Sequence, residues 1–147
     1  MFLGQYTHIL DNKGRLTIPA RYRDLLLDGA YVTQGFDSNL MVITMPAFEK
    51  ISEYVKHTSI TDSKARMLRR LIFSNGEMVE VDNAGRILIP QFLRQLAGLN
   101  GEAVVVGVGD YFEIWSPEHW VEQAEKLEDS DANANLFSTF DIDISSG

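Results

Sequence analysis

Apolar and polar residues alternate in short runs along most of the chain, and Gly, Asn and Asp separate the runs. Residues 5–10 alternate and predict a strand. Asp11-Asn12-Lys13-Gly14 then forms a turn in which Gly14 can take a positive φ without a Cβ clash. Alternation resumes over 15–18. Pro19, with a preset φ and no N–H to donate, suits the first position of a helix over 20–27 that turns Tyr22, Leu25 and Leu26 inward. Strands over 31–35 and 40–44 flank the polar Asp37-Ser38-Asn39, and Pro46 leads into a helix over 47–55. The order then recurs, with strands over 77–81, 86–89, 103–108 and 111–115 and helices over 91–97 and 118–128. Between the two series, 62–73 predicts a helix with Ala65, Leu68, Leu71 and Ile72 on one face. From Asp129 the chain is polar and acidic, with scattered Phe137 and Phe140, which predicts a largely disordered tail or a short docking segment.

The elements recur because the sequence does. Asp11-Asn12-Lys13-Gly14-Arg15-Leu16-Thr17-Ile18-Pro19 returns as Asp82-Asn83-Ala84-Gly85-Arg86-Ile87-Leu88-Ile89-Pro90, 71 positions on (82 minus 11). Arg23 and Arg94 each follow their proline by four, Leu25 and Leu26 align with Leu96 and Ala97, and Gly35 and Pro46 match Gly107 and Pro117 with one residue of slippage. The chain therefore divides into a first repeat (1–60), a linking helix (61–75), a second repeat (76–128) and an acidic tail (129–147). Two symmetric, similarly charged turns invite a pseudo-symmetric partner, and double-stranded DNA is the first candidate.

A formal net charge of −8 argues against that partner until it is located along the chain. Residues 1–73 hold ten Lys/Arg and seven Asp/Glu, a balance of +3, and residues 74–147 hold three and fourteen, a balance of −11. The positive charge concentrates further: Lys13, Arg15, Arg21 and Arg23 lie within eleven residues, whereas the matching stretch of the second repeat keeps Arg86 and Arg94 and has Ala84 and Phe92 in place of a lysine and an arginine. If one repeat meets DNA, the first is the better placed. Phe92 fits either a subunit contact or the core. Lys64, Arg66, Arg69 and Arg70 form a basic stripe on the linking helix, suited to a solvated face, a subunit contact or phosphates.

Within each turn, an Asp four residues before an Arg can hold it as a hydrogen-bonded ion pair. The rest of the guanidinium fork then stays open for a phosphate or for the O6 and N7 of guanine. Asp11, Gly14, Asp82 and Gly85 are on this reading the turn-fixing residues, and Lys13, Arg15, Arg21, Arg23 and Arg86 the DNA-binding ones. The competing reading is that both Asp/Arg pairs only staple their turns.

The run Val81-Asp82-x-x-Gly85-Arg86-Ile87-x-Ile89-Pro90-x-x-Leu93-Arg94-x-x-x-Gly98-Leu99 resembles the DNA-binding motif of the AbrB and SpoVT transition-state regulators. Two tandem copies behind an opening Met1-Phe2-x-Gly4 resemble the MraZ family over the chain up to its tail. That resemblance implies an α+β, mainly β fold, a double-split β-barrel of two pseudo-symmetric repeats with flanking helices. It also implies a ring-forming homo-oligomer that regulates transcription from tandem promoter repeats upstream of its own division and cell-wall gene cluster.

Other classes find little support. The chain has no cysteine, and His8, His57 and His119 fall in no nucleophile or metal motif. Gly107-Val108-Gly109 leads into a strand rather than a helix, so it is not a dinucleotide loop. No enzyme activity, cofactor or metal is expected. The N-terminus has no basic segment followed by an apolar run, and no apolar run is long enough to span a bilayer, so a cytoplasmic, nucleoid-associated protein without a membrane partner is expected. The rival function is an antitoxin-like interaction module of the same fold, its acidic tail occupying a basic partner and its DNA contact secondary.

Overall fold

The computed structural model describes residues 1–145, in two compact units, one spanning Met1–Pro117 and the other starting at Glu118. The first unit contains β1 (Gln5–Ile9), β2 (Arg15–Thr17), α1 (Ala20–Arg23), β3 (Ala30–Gln34), β4 (Leu40–Thr44), α2 (Met45–Lys56) and α3 (Ser63–Arg69). It continues with β5 (Glu77–Val79), β6 (Arg86–Leu88), α4 (Gln91–Leu96), β7 (Glu102–Gly107) and β8 (Phe112–Trp115). A 3-10 turn, Asp24–Leu26, extends α1, and a π-helical turn, Arg70–Ser74, extends α3.

The strands interleave the two repeats. Six of them form an antiparallel sheet in the order β1-β7-β8-β4-β3-β5, and β2 pairs with β6 in a second sheet. Exchanging each strand of the first repeat for its equivalent in the second (β1 for β5, β2 for β6, β3 for β7, β4 for β8) reads the same order backwards, so a pseudo-twofold axis relates the halves. It passes through self-equivalent pairs: Leu16 lies opposite Ile87 (87 minus 16 is 71) and Met41 opposite Glu113 (113 minus 41 is 72). Each repeat lends its first strand to the other, since β1 pairs with β7 and β5 with β3. Neither repeat can complete its sheet alone.

The α+β, mainly antiparallel architecture is the one expected, but the barrel is not closed. β1 and β5 are the two edges of the larger sheet, and between β1 and the β2-β6 ribbon runs an isolated bridge, Leu10 to Leu16. Three-residue strands such as β2 and β6 carry too few backbone groups to bond both each other and two sheet edges.

Burial follows the alternation. Leu40 and Val42 of β4 enter the core with Leu16, Ile18, Tyr22, Ile87, Ile89, Leu93 and Phe112, while Met41 and Ile43 face the other side of the sheet. Tyr22 is fully buried, rests edge-on against Phe2, and donates its hydroxyl to the Leu3 carbonyl at 2.6 Å, fixing α1 to the core. Leu25 points outward instead of inward, and Leu26, four residues after Tyr22, takes the buried place in that turn.

In the second unit α5 (Pro117–Glu128) leads to α6 (Ser130–Leu136). Part of the acidic tail is helical: the Asp129 carboxylate accepts the Ala132 amide at 3.0 Å, and Asn133 donates to the Leu127 carbonyl at 2.9 Å. An N-cap followed by Ala132, Ala134 and Leu136 is enough local preference to form two turns. The last two residues of that expected tail, 146 and 147, lie outside the described residues.

Candidate nucleic-acid interface

Both Asp/Arg turns close alike. In the first, one Asp11 carboxylate oxygen accepts the Lys13 and Arg15 amides at 3.0 and 2.8 Å, and the other accepts Arg15 Nε at 2.7 Å. In the second, Asp82 accepts the Ala84 and Arg86 amides at 2.9 Å each and Arg86 Nε at 3.2 Å. Gly14 and Gly85 sit at φ +90° and +78°, where a Cβ would be strained. The amide of Arg15, then its guanidinium and the Lys13 amide, hold the Asp11 carboxyl at about 2 against a partial burial that acts the other way. The Arg86 amide likewise lowers Asp82.

Tertiary structure brings the two turns together. Ile18 N–H donates to the Gly85 carbonyl at 2.9 Å and Ile89 N–H to the Gly14 carbonyl at 2.8 Å, so each turn is bonded to the strand end of the other repeat. Arg23 Nε donates to the Ile18 carbonyl and Arg94 Nε to the Ile89 carbonyl, both at 3.0 Å. The space a Cβ would take on Gly85 is filled by the Arg23 guanidinium, and that on Gly14 by Arg94 and the Ile89 carbonyl. Arg23 is thus first a brace between the repeats, with its terminal nitrogens still available. Arg94, outside the expected site residues, plays the same part; its alignment with Arg23 four residues after the proline is the signal that could have found it.

Leu16 and Ile87 point inward from β2 and β6, so Arg15 and Arg86 point out on one surface. With Nε committed to its aspartate, the Arg15 guanidinium keeps its terminal nitrogens for an outside acceptor, and Arg86 keeps Nη2, its Nη1 lying 3.8 Å from Asp11 Oδ2. Lys13 and Arg21 are exposed, and Lys13 forms no ion pair among the described residues. Across the pseudo-axis the equivalent positions hold Ala84 and Phe92, and Phe92 is 43% exposed, which removes it from the core. The surface is therefore more cationic on the first repeat's side than on the second's, where Arg86 is flanked by Ala84 and Phe92 instead of a lysine and an arginine. Arg23 also lies near His8, whose pKa is lowered by burial and then by that charge; its buried Nε2 has no hydrogen-bond partner among the described residues.

The basic stripe of α3 is divided by the fold. Arg66 donates to the Ile60 carbonyl at 2.9 Å, and Arg69 to the Lys56 and Thr58 carbonyls at 3.2 and 2.9 Å, sealing the C-terminal end of α2. Lys64 and Arg70 remain exposed. A cavity of about 630 Å³ lined by Thr33, Met41, Ile43, Lys50 and Ile72, among others, includes none of the turn residues. Among the described residues no cluster of His, Asp or Glu could hold a metal, and no helix is long and apolar enough to cross a membrane.

Interleaved halves with twin Asp/Arg turns at their seam define a class, the single-chain, strand-exchanged duplicate with one aspartate-paired, outward-facing arginine in each turn. The chain belongs to the MraZ family: the family profile described as "MraZ protein, putative antitoxin-like" matches residues 1–71 and again 72–140. It is 49% identical to the transcriptional regulator MraZ of Thermomicrobium roseum, covering 86% of this chain and 89% of that one. Identity to the transcriptional regulators MraZ of Roseiflexus castenholzii and Clostridium acetobutylicum is 45% and 38%, over 94% and 97% of this chain and 94% and 100% of theirs.

Proposed function

We propose that the protein is a DNA-binding transcriptional regulator that reads short tandem repeats in the promoter of its own division and cell-wall gene cluster. It acts there as a ring-like homo-oligomer and represses by covering the promoter. The observation that carries this reading is the meeting of the two Asp/Arg turns on one surface, each arginine oriented through Nε by its own aspartate. A guanidinium held this way is pre-ordered for bidentate contact with guanine or phosphate. Lys13, Arg21 and Arg23 supply phosphate contacts around it, and the relatives named as transcriptional regulators support the class.

Multivalency follows from the small number of cations in each subunit. A few phosphate contacts give non-specific binding of about 10⁻⁴ to 10⁻⁶ M, and linking sites in an oligomer raises it roughly 10²- to 10⁴-fold when repeat and subunit spacings match. Affinity for the DNA upstream of this protein's gene is therefore expected to jump between one repeat and three. It should drop when about five base pairs, half a helical turn, separate the repeats. Equal affinity for all three duplexes would refute the oligomeric reader. The antitoxin-like alternative draws on the acidic second unit and the family description. Deleting residues from Asp129 onward should leave operator affinity intact in a regulator and abolish partner capture in an antitoxin.

A further inference from the structure

The pseudo-symmetry of the two turns fails at one contact. Arg15 and Arg86 each pair through Nε with the aspartate of their own turn. Arg86 also places Nη1 3.8 Å from Asp11 Oδ2, the oxygen that accepts Arg15 Nε. Among the described residues no ion pair runs the other way, from Arg15 to Asp82. The β2-β6 pairing makes the contact possible, because Thr17 lies opposite Arg86 and Arg15 opposite Leu88, all four on the outward face. One carboxylate oxygen therefore faces a guanidinium from each repeat.

We infer that Asp11 is a specificity-determining positioning residue, which ties Arg15 and Arg86 to one point and so makes the two repeats a single reading head. The inference rests on the DNA-reading function proposed above and says how that site discriminates. Arg15 is hydrogen-bonded to that anion at 2.7 Å and Arg86 is drawn to it across 3.8 Å, so the positions of the two forks are coupled. The distance between the base edges they meet is then biased by the protein, and a DNA that offers one matching base without the other forfeits part of the benefit. Asp82 orients Arg86 alone and has no such reach. The arrangement also has an electrostatic consequence, since an anion between two cations weakens their long-range pull on any phosphate. Removing that anion should relax discrimination without weakening general attraction to DNA, which separates positioning from a merely structural role.

Asp11→Asn tests the effect, because an asparagine oxygen can still accept the Lys13 and Arg15 amides, whereas the Nδ2 that replaces Oδ2 is a donor that neither accepts Arg15 Nε nor attracts Arg86. Asp82→Asn is the matched control. The probe is a duplex selected from a random pool by the unaltered full-length protein, with a scrambled duplex as reference, and melting temperatures are taken for every variant. A base-reading arginine contributes roughly 5- to 150-fold in discrimination. Asp11→Asn is expected to lower the ratio of selected to scrambled affinity at least about five-fold more than Asp82→Asn, with scrambled affinity equal or higher. Arg86→Ala should then cost much less discrimination in the Asp11→Asn background than in the unaltered protein. Equal losses from the two asparagine variants, a loss that only tracks melting temperature, or an undiminished Arg86→Ala effect in both backgrounds would overturn the inference while leaving DNA reading in place. If Arg15→Ala also leaves the ratio unchanged, the DNA-reading proposal falls with it.

Discussion

Gly14→Ala and Gly85→Ala occupy equivalent turns, yet the structure separates them. Both residues have positive φ, and an alanine there costs about 1 to 2 kcal/mol in backbone strain. At Gly14 the new Cβ would also lie 2.6 Å from the Ile89 carbonyl oxygen and 2.8 Å from Arg94 Cζ. A carbonyl in the backbone can retreat only by moving the strand end, and the Ile89-to-Gly14 hydrogen bond, worth about 1 kcal/mol, goes with it. At Gly85 the atoms met belong to the Arg23 guanidinium, the far end of a flexible side chain. Gly14→Ala should therefore destabilise by about 2 to 3 kcal/mol and Gly85→Ala by about 1 to 2. At roughly 2 to 4 °C per kcal/mol for a chain of this size, the first variant should melt about 4 to 12 °C below the unaltered protein. Thermal melting followed by circular dichroism measures both. A Gly85→Ala variant that melts lower than Gly14→Ala would refute the account, since it would mean that side-chain displacement outweighs displacement of the crossing backbone.

Lys13→Ala should weaken binding to all DNA alike and reduce the slope of log affinity against log salt by about 0.9, the share of the one phosphate that the lysine neutralises, read by titration at several salt concentrations. Arg15→Ala should lose about 1 to 3 kcal/mol on the preferred sequence and much less on a scrambled one, with melting nearly unchanged, measured by gel shift and thermal scan. Asp11, whose carboxyl sits at about 2 against an ordinary 3.8, contributes stability that is present above about pH 4 and lost as pH falls toward 2. An acid titration of the unaltered protein should show that loss, and Asp11→Asn should flatten it. His8 has the opposite chemistry and the same sign: its lowered pKa means the unfolded chain binds the proton first, so stability should fall as pH drops below about 6.5. His8→Gln should remove that component from a melting-temperature profile between about pH 5 and 8.

Local rules were sufficient for every element whose cause is local. The duplicated Asp-x-x-Gly-Arg turns, the prolines before α1 and α4, and the period-two strands were readable because neighbouring residues determine φ, hydrogen bonding and face. The duplication by itself also announced a pseudo-twofold. What the sequence could not determine was which repeat completes which sheet. Pairing β1 with β7 and β5 with β3 satisfies the same alternation as pairing within a repeat, and only packing of the whole core chooses between them. Every surprise at the site follows from that exchange. Arg23 lies over Gly85, Arg94 over Gly14, and Asp11 reaches Arg86, each pair more than sixty residues apart in the chain (85 minus 23 is 62). Arg66 and Arg69, a solvated or binding stripe by periodicity alone, are instead spent on backbone carbonyls at the end of α2 and in the loop that follows it. Charge type and spacing are written in the chain, whereas the partner of each charge is decided by the tertiary packing that brings distant strands within a hydrogen bond's length.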